Sequence, residues 1–396
     1  MNDLISVDDA LERVLGRVQV LPAEQVSLGA ATGRVSAGTV AATVDVPPFR
    51  SSSMDGYAVR SADAPATLAI VGRSAAGRPA AMELGAGEAV EISTGAVVPD
   101  SADAVVPVER VAVDGDRVTI ETSVGSGDNI REPGGDTRVG ATLLSQGDTL
   151  TPPRIGALAS CGIDTVLVHR LPRVTIVVTG TELRQPGERL APGEIYESNG
   201  IMLASLLEPG GAVVTRLAAT EDTEGAHEAS LAEALTADVV VTSGGVSVGP
   251  HDLVRRVQER LGVEEVFWGV AMRPGKPLAF GCRGRTLVFG LPGNPVSALV
   301  GALLFVRPAL LALTGSPDPA PPFRPGVLTV EVPQRAERDD FVRARVTWND
   351  EGALVEPIVG QESHMIARTT AATGLAWIPR GPGSLAPGSR IRFLPL

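Results

Sequence analysis

The spacing of apolar residues predicts a helix at the start of the chain. In MNDLISVDDALERVLGRV, apolar side chains recur three or four residues apart, at Leu4, Val7, Leu11, Val14, Leu15 and Val18. This spacing places them on one face of an amphipathic helix. Because acidic residues fill several of the other positions, the segment is typical of a helix start rather than of a signal peptide. A second short element is expected around residues 21–31.

The pattern then changes to short β-like runs between residues 44 and 136. The runs YAVR, TLAIVG, EAVEIST, AVVPVERVAV and DRVTIET are separated by Gly, Pro and Asp, which favour turns. They predict a small all-β domain inserted at 44–136 between two parts of a helical linking domain, 1–43 and 137–171. The segment TPPRIGALASCGI in the second part is helix-compatible, since proline is tolerated in a first helical turn.

From residue 172 onwards, strands and helices alternate. The apolar runs VTIVVTG, AVVTRLAAT and ADVVVTSGG alternate with the helical patterns NGIMLASLLEPGG, TEGAHEASLAEALT and HDLVRRVQERLG. Three further strands and a long apolar helix, PVSALVGALLFV, follow. Near-continuous apolar strands of this kind predict a parallel sheet covered on both faces, here an α/β domain at 172–319. After the linker-like segment SPDPAPPFRPG, residues 320–396 predict a second β domain.

Three strand-to-helix junctions of the α/β domain are polar or rich in glycine. They are TGTEL, TSGGVSVGPHD and GLPGNPVS. Because ligands bind beyond the carboxyl ends of parallel strands, we expect the three junctions to share one site. Backbone N–H groups of the second junction could bind a phosphate or another anion, although a tight turn requires the same glycines.

Three common nucleotide and hydrolase motifs are missing from these junctions. No G-x-G-x-x-G follows a strand, so the main support for nicotinamide binding is lacking. The stretch MRPGKP places Pro277 where a phosphate-binding loop needs a hydroxyl group. No G-x-S-x-G elbow stands beside a plausible triad.

Composition narrows the functional classes further. Acidic residues outnumber basic ones by 46 to 34, the net charge is −12 and no basic run is present, which argues against a nucleic-acid partner. Two cysteines and four histidines without ligand spacing do not indicate a disulfide framework or a metal knot. The longest apolar run is interrupted by Arg307 and Pro308 and is too short to span a bilayer. We therefore expect a cytoplasmic protein without a membrane or nucleic-acid partner.

Five motifs in one order carry a resemblance to a known family. SSSMDGYAV, STGAVVPDSADAVVPVE, TSGGVSVGPHD, MRPGKP and LPGNPVSAL together resemble the molybdopterin molybdenumtransferase family of MoeA and the gephyrin E domain. The resemblance covers essentially the whole chain. It implies an α/β fold with added β domains in an elongated multidomain chain. The parts are an inserted small β domain, a three-layer α/β domain of the molybdopterin-binding type and a C-terminal β-barrel-like domain.

The resemblance also implies an activity and an assembly. Members insert molybdate into adenylylated molybdopterin, release AMP and form molybdenum cofactor, with Mg²⁺ as the usual divalent cation. They are homodimers with sites between the α/β domain of one subunit and the N-terminal domains of the other, and other cofactor-biosynthesis proteins are candidate partners. Two alternatives stay open, a molybdopterin adenylyltransferase and a non-catalytic scaffold like the gephyrin E domain. The extra domains and the MDGY motif argue against the first, and the lack of a long basic or proline-rich linker gives the second little support.

By the same resemblance, acidic and hydroxyl residues are the candidates for catalysis and metal binding. The catalytic candidates are Asp55, Thr94, Asp136, Glu182 and Asp252. The Mg²⁺ candidates are Asp55, Glu182, Glu221 and Asp252, since carboxylates are the hard oxygen ligands that Mg²⁺ prefers. Either Glu221 or its neighbour Asp222 could face the site. Simple turn chemistry explains Asp55 and the Thr94–Gly95 pair as well, and the helix dipole alone would favour Asp252.

The resemblance assigns the remaining candidates to the pterin and to molybdate. The pterin or its terminal phosphate would be bound by Ser243, Gly244, Gly245, Ser247 and Gly249, with Pro292, Gly293, Asn294 and Pro295 forming the neighbouring wall. Molybdate would be bound by Arg273, Lys276, Arg343 and Ser363, although an inert basic hairpin would explain the first two. Gly269 stands where some relatives carry a lysine, so one cationic contact is missing or is supplied elsewhere.

Overall fold

The N-terminal amphipathic segment forms helix α1 (Val7–Leu15). The computed structural model describes residues 4–217, 224–244 and 253–396. Ser6 caps α1, because its hydroxyl oxygen accepts a hydrogen bond from the Asp9 N–H at 3.0 Å. The buried side chains of α1, among them Ala10 and Val14, belong to the apolar core of the α/β domain. This first helix therefore packs on the α/β domain, although it precedes the linking strands.

The chain next enters the inserted β domain. Strands β1 (Ala23–Ser27) and β2 (Val40–Ala41) lead into it, with a 3₁₀ turn at Leu28–Ala30 between them. Its strands are β3 (Ser51–Ser52), β4 (Gly56–Val59), β5 (Ala66–Ser74), β6 (Glu88–Ile92), β7 (Ala104–Pro107), β8 (Val111–Asp114), β9 (Arg117–Ile120) and β10 (Ile130–Arg131). Six of them form one sheet in the order β7-β4-β6-β5-β9-β8. Successive side chains alternate between two apolar clusters, with Tyr57 in one and Ala58 in the other.

The linking domain is completed by the chain that leaves the inserted domain. Strand β11 (Thr142–Leu144) pairs antiparallel with β2, and β12 (Thr165–His169) pairs antiparallel with β1. Helix α2 (Pro152–Ser160) lies between them with Pro152 in its first turn, as predicted. Leu144, Leu158 and Val166 belong to the buried core that these elements share. Two segments distant in sequence thus build one domain.

The α/β domain contains a six-stranded mixed sheet. Its elements are β13 (Arg173–Val178), β14 (Leu183–Arg184), β15 (Ile195–Tyr196), α3 (Asn199–Leu207), β16 (Val213–Arg216), α4 (Glu224–Ala234), β17 (Val239–Ser243), α5 (Leu253–Arg260), β18 (Glu264–Trp268), β19 (Met272–Arg273), β20 (Ala279–Arg283), β21 (Thr286–Leu291), α6 (Pro295–Gly301) and α7 (Arg307–Leu313). The sheet order is β16-β13-β17-β21-β20-β18. The first four strands are parallel, as predicted, whereas β20 and β18 are antiparallel to their neighbours. A tight turn at Gly284 (φ 59°) joins β20 directly to β21, and such a hairpin requires antiparallel strands.

Helices cover both faces of this sheet. The side chains of Val174, Ile176 and Val178 enter one core together with α1, α3, α6 and α7. The intervening Val177 faces the opposite side, where it shares a second core with α4 and α5. This alternation gives the three-layer arrangement predicted for the domain and confirms its fold class.

The last helical segment of the domain is longer than its sequence suggests. Helices α6 and α7 are joined by a π-helical segment, Ala302–Val306, so the helix continues through Arg307 and Pro308 instead of ending there. A π segment accommodates the proline ring and its missing N–H, which explains the continuation. In the described part of the chain this is the one helix, of 19 residues with mean hydropathy 2.1, that is long and apolar enough to cross a membrane. Its most apolar stretch is 78% buried inside the protein.

The C-terminal domain is a closed β-barrel, which confirms the predicted barrel-like domain. Its strands are β22 (Arg324–Leu328), β23 (Val332–Pro333), β24 (Asp339–Asn349), β25 (Gly352–Pro357), β26 (Gly374–Ile378), β27 (Ser384–Leu385) and β28 (Arg390–Pro395), with a 3₁₀ helix at Ile366–Ala371. Strand β24 pairs with both β25 and β26, which closes the ring β24-β25-β22-β28-β26. The short β19 of the α/β domain pairs in parallel with β24. The barrel is therefore joined to the α/β domain by backbone hydrogen bonds.

An ion pair joins the linking domain to the α/β sheet. Asp238, just before β17, accepts hydrogen bonds at 2.7 Å from both terminal nitrogens of Arg170 and at 2.8 Å from the Arg173 N–H. The Asp238 side chain is 13% exposed. Burial raises the pKa of Asp238, but the hydrogen bonds from Arg170 and Arg173 outweigh it and hold the pKa below its ordinary value.

We expect Asp238→Asn to lower the free energy of unfolding near neutral pH by about 2–3 kcal/mol, because a bidentate charge-assisted contact is lost. The folded-state pKa is lowered, so this stabilisation is present above the pKa of the unfolded carboxyl group. It is lost as the pH falls through the folded-state value. Urea unfolding near pH 7 and near pH 2.5 measures both effects, with Asp350→Asn in the exposed β24–β25 turn as control. A difference from wild type that stays constant between the two pH values would contradict the assignment.

Candidate functional site

A cavity of about 530 Å³ opens at the carboxyl ends of the parallel strands. The three polar junctions predicted to share a site all contribute to it. Its lining includes Thr179, Gly180 and Glu182 after β13, Ser243 and Gly244 at the end of β17, and Gly293, Asn294 and Pro295 after β21. We call it the strand-end cavity. Pro292 does not line it and faces a second cavity described below.

The side chain of Asn199, the first residue of α3, ties these junctions together. Its Nδ2 donates hydrogen bonds to Ser243 Oγ at 2.9 Å and to the Gly293 carbonyl oxygen at 2.8 Å. Because a carbonyl oxygen can only accept, the bond to Gly293 fixes the orientation of the amide. Asn199 is 8% exposed, and its Oδ1 has no hydrogen-bond partner among the described residues. This residue was not singled out from the sequence, because an asparagine at a helix start is commonplace.

Gly244 meets a backbone requirement at the same point. Its φ is 96°, and a Cβ atom there would lie 2.9 Å from Thr179 Oγ1 and 3.1 Å from the Thr179 carbonyl oxygen. The Gly244 N–H donates to the Leu291 carbonyl oxygen at 3.1 Å, and the Thr179 N–H donates to that of Ser243 at 3.2 Å. The ends of β13, β17 and β21 therefore approach closely only because position 244 lacks a side chain. Gly245, Ser247 and Gly249, predicted for the same loop, lie outside the described residues.

Two glutamates line the strand-end cavity in different states. Glu197, which the sequence reasoning missed, is 4% exposed, and its Oε1 accepts a hydrogen bond from the Gly200 N–H at 2.6 Å. Its position at the start of α3 was the available signal, because carboxylates commonly cap helix N-termini. Glu182 is exposed and lies over Gly180, and its carboxylate makes no hydrogen bond or ion pair in the described ranges. Glu182 is thus the carboxylate free to receive a cation.

Among the described residues, Glu182 is the one predicted metal or catalytic residue in the lining of this cavity, from which Asp136 is also absent. Asp252 and the Glu221–Asp222 pair lie outside the described residues. Asp55 and Thr94 belong to the inserted domain and are absent from the cavity lining. Within the described ranges, no group of three or more His, Cys, Asp or Glu side chains could hold a metal ion.

Asp55 and Thr94 form a second group in the inserted domain. Asp55 lies in the turn between β3 and β4, and its Oδ1 accepts a hydrogen bond from the Thr94 N–H at 2.8 Å. Gly95, with φ 79°, shapes the turn that presents Thr94, and its N–H donates to the Ser52 carbonyl oxygen at 2.8 Å. Asp136 is exposed where the chain leaves the domain, and its N–H donates to the Val46 carbonyl oxygen at 2.9 Å. The side chains of Asp55 and Thr94 are exposed, so this group is open to a partner.

A second cavity, of about 430 Å³, surrounds the MRPGKP segment, residues 272–277. We call it the MRPGKP cavity. Arg273 lies 3.7 Å from Asp340, which also accepts a hydrogen bond from Arg335 at 3.1 Å. The exposed Lys276 and the half-buried Arg338 line the cavity, and neither forms an ion pair in the part of the chain that the structure describes. Arg338 was missed from the sequence, since QRAERDD carries no motif that distinguishes it from its neighbours.

Arg343 occupies a structural position that differs from the direct molybdate contact expected from the sequence. It is 1% exposed and lines neither cavity. Its terminal nitrogens donate to the carbonyl oxygens of Met365 and Gly360, both at 2.6 Å, and to that of Glu362 at 3.1 Å. These bonds consume its donors and fix the loop 360–365 of the barrel. The burial of Arg343 corrects the expectation that it contacts molybdate directly. The sequence could not show this burial, because only long-range contacts decide which arginine of β24 points inwards.

The loop that Arg343 fixes forms the wall between the two cavities. Ser363 lines the MRPGKP cavity, as predicted for a molybdate residue, and its carbonyl oxygen accepts a hydrogen bond from the Val296 N–H at 3.0 Å. That bond joins the loop to the first turn of α6. His364 and Asn294 line both cavities. A residue of the barrel and a residue of the α/β domain thus form the shared wall.

Gly269 explains why the lysine of some relatives has no counterpart here. Its φ is 88°, and a Cβ atom there would lie 2.8 Å from Leu4 Cδ2, just before α1. A side chain at this position would be strained by its backbone and would displace the N-terminal segment. The cations of the MRPGKP cavity therefore lack a contribution from position 269.

Three family models match successive parts of the chain. Residues 5–162 match a family model described as the MoeA N-terminal region (domain I and II), residues 175–312 one described as a probable molybdopterin binding domain, and residues 325–396 one described as the MoeA C-terminal region (domain IV). The chain is 35% identical to a molybdopterin molybdenumtransferase of Haemophilus influenzae, covering 99% of this chain and 98% of the relative. It is 38% identical to molybdopterin molybdenumtransferase 2 of Mycobacterium tuberculosis, covering 93% of each. A solved structure of a molybdopterin biosynthesis MoeA protein from Pyrococcus horikoshii has a TM-score of 0.83 and 32% identity, covering 99% of both chains.

We expect Asn199→Asp to lower the free energy of unfolding of the α/β domain by about 2–4 kcal/mol. The change removes both donated hydrogen bonds and places a carboxylate oxygen against the Gly293 carbonyl oxygen. Thermal and urea unfolding measure the effect. Asn349→Asp is the matched control, because the Asn349 Oδ1 only accepts hydrogen bonds from Glu351 and Gly352 N–H groups, and a carboxylate keeps them. Equal effects of the two changes would show that the Asn199 amide does not hold the junctions together.

Proposed function

The chain belongs to the molybdopterin molybdenumtransferase family, and from this premise we propose that it inserts molybdate into adenylylated molybdopterin, releasing AMP and forming molybdenum cofactor. One observation supports the proposal most directly. A cavity at the strand ends, lined by Glu182 and Glu197, shares the wall of His364 and Asn294 with a cavity lined by Lys276 and other cations. The adenylylated pterin carries phosphate groups and is held with a divalent cation, whereas molybdate is a free oxyanion. Two such ligands need neighbouring sites of opposite charge.

The strand-end cavity is the proposed site of the adenylylated pterin. Its walls combine the close backbone approach at Gly244 with the Gly293–Pro295 turn at the start of α6. The positive end of the dipole of the helix that begins at Pro295 favours a phosphate at this point. We assign pterin and phosphate binding to this cavity on that basis.

Magnesium is the cation proposed for this cavity, to which Glu182 contributes one suitable carboxylate. The Glu182 carboxylate has no partner in the described ranges, and carboxylate oxygens are the ligands that Mg²⁺ prefers. Glu182 would hold the ion together with Asp55 from the inserted domain and the predicted Asp252. When bound, the ion would neutralise the charge of the phosphate groups during cleavage of the phosphoanhydride.

The MRPGKP cavity is the proposed molybdate site. A dianion approaches a chain of net charge −12 only where local cations outweigh the average charge. Lys276 and Arg338 line the cavity and form no ion pair in the described part of the chain, and Ser363 adds a hydroxyl group. The charge of Arg273 is partly neutralised by Asp340. Arg343 acts at a distance, through the loop that carries Ser363.

A second copy of the chain is proposed to complete each site. Asp55 and Thr94 lie in the inserted domain and do not line the strand-end cavity of their own chain. Association about a two-fold axis would bring the inserted domain of one subunit to the cavity of the other and form two equivalent sites. A homodimer therefore accounts for the separation of the two groups of candidate residues.

The activity is measured as AMP release from adenylylated molybdopterin on addition of molybdate. We expect wild-type protein to release AMP in this assay, whereas an adenylyltransferase would form the adenylate from molybdopterin and ATP and a scaffold would do neither. Asp55→Asn should fold normally and lose turnover, because its amide oxygen still accepts the Thr94 N–H while the charge is lost. Asp63→Asn is the control within the same domain, since Asp63 accepts the Gly87 N–H and lies outside the site. Turnover near wild type in Asp55→Asn would leave Asp55 a turn residue only.

Mixing two inactive variants tests whether the site is shared between subunits. Glu182→Gln should also be inactive. If Asp55 and Glu182 of one site come from different chains, a mixed dimer has one intact site. The two variants are mixed in equal amounts, unfolded and refolded together. About half of the dimers are then mixed, and each has one intact site of two, so about a quarter of the wild-type activity per subunit should return. Activity that stays at the level of the separate variants would place both residues in one chain.

We expect Lys276→Ala to raise the molybdate concentration for half-maximal AMP release by about ten- to a hundred-fold, because one charge-assisted contact is lost. Binding of adenylylated molybdopterin should be unchanged. Arg343→Ala should raise the molybdate requirement and also lower the melting temperature, because it releases the loop 360–365. Arg283→Ala, on the exposed β20–β21 turn, is the control for a lost surface charge. A Lys276→Ala protein with wild-type molybdate dependence would place the anion elsewhere.

A further inference from the structure

His364 is the titratable side chain at the wall shared by the two cavities. It lies on the loop between β25 and the 3₁₀ helix of the barrel, and it lines the strand-end cavity and the MRPGKP cavity at once. Asn294, the other residue common to both linings, has an uncharged amide. A group that moves between the cavities therefore passes His364.

The backbone on both sides of His364 is held in place. The carbonyl oxygens of Glu362 and Met365 accept hydrogen bonds from Arg343, and that of Ser363 accepts one from the Val296 N–H of α6. Gln361 adds a reciprocal pair, since its Nε2 donates to the Arg343 carbonyl oxygen at 2.9 Å and its Oε1 accepts the Arg343 N–H at 3.0 Å. These contacts come from the barrel and from the α/β domain. The imidazole is consequently presented at a fixed point while its ring stays exposed.

The charges on the two sides of the wall differ in sign. Among the described residues, the titratable groups of the strand-end cavity are Glu182, Glu197, Tyr196 and His227. Those of the MRPGKP cavity are Arg273, Lys276, Arg338 and Glu362. A dianion held by the cations thus meets carboxylates when it approaches the strand-end cavity. A positive charge at the wall would offset this repulsion, and an imidazole changes its charge between pH 5 and 8.

We propose that His364 is an oxyanion-positioning residue, whose imidazolium form donates a hydrogen bond to a tetrahedral oxyanion at the junction of the two cavities. The ligand class is the dianion of molybdate type, and the inference rests on the proposed function for the identity of the anion. Lys276 and Arg338 supply positive charge from the MRPGKP cavity. His364 adds an ionisable imidazole at the point where the anion faces the second substrate.

The pH dependence of molybdate binding separates this role from a structural one. Titration calorimetry with molybdate alone should show binding about ten-fold tighter near pH 6 than near pH 8 in wild-type protein. His364→Gln keeps a hydrogen-bonding side chain without the titrating charge. We expect it to bind molybdate at both pH values with nearly the weaker wild-type affinity. Lys276→Ala should bind more weakly at both pH values and keep the wild-type ratio.

A control variant and the assay of AMP release complete the test. Thr370→Ala, on the exposed face of the adjoining 3₁₀ helix and outside both cavity linings, should retain the wild-type affinity and pH ratio. Equal pH ratios in wild type and His364→Gln would overturn the proposal, whatever the affinities. Because the titration uses molybdate without the pterin, it is independent of turnover. If wild type binds molybdate in a His364-dependent manner and releases no AMP, the proposed function fails and the oxyanion site stands.

Discussion

The position of the strand-end cavity depends on the amide of Asn199. The backbone ladder between β17 and β21 ends at the pair Ser243 and Leu291. Beyond it, the Asn199 amide donates hydrogen bonds to Ser243 and Gly293, so its side chain joins α3 to the end of β17 and to the turn before α6. The bonds are buried, and a buried donor without a partner would be costly, which is why the amide admits no simple replacement. The close approach at Gly244 adds to this constraint, because Thr179, just after β13, leaves no room there for a Cβ atom.

The second cavity is built by the contact between the barrel and the α/β domain. Strand β19 pairs with β24, and the Ser363 carbonyl oxygen, in the loop that Arg343 fixes, accepts a hydrogen bond from the Val296 N–H in the first turn of α6. That carbonyl satisfies one of the N–H groups that every helix leaves free at its start. Burying an arginine costs free energy unless its N–H groups are hydrogen-bonded. Here the carbonyl oxygens of one loop accept hydrogen bonds from the Arg343 guanidinium. The burial of Arg343 therefore helps to shape the MRPGKP cavity, which Arg343 itself does not line.

Much of the fold could be predicted from the sequence, whereas the state of individual charged side chains could not. Apolar runs such as VTIVVTG and ADVVVTSGG are buried on both faces, so composition alone identifies them as central strands. The strand–helix alternation also predicted which junctions meet at one sheet edge. Nothing local distinguishes Arg343, which is buried, from Arg338, which lines a cavity, because their difference arises from contacts with residues twenty or so positions away. The continuation of the last helix through Pro308 has a similar origin, since the π segment depends on packing in the surrounding core.

The positions of the candidate carboxylates bear on the proposed assembly of the protein. The carboxylates that would hold a cation cannot all come from the α/β domain within the described ranges, where Glu182 is the unpaired one at the cavity. Asp55, in contrast, is exposed on a turn of the inserted domain. The backbone carbonyl oxygen of Asp55 and the Thr94 N–H are already hydrogen-bonded there. Carboxylates held close together repel one another until a cation arrives, so a single folded chain that grouped them would be less stable. In the proposed homodimer, each chain would fold with its carboxylates apart. The repulsion would then arise only on association, where the proposed cation and the substrate phosphates would balance it.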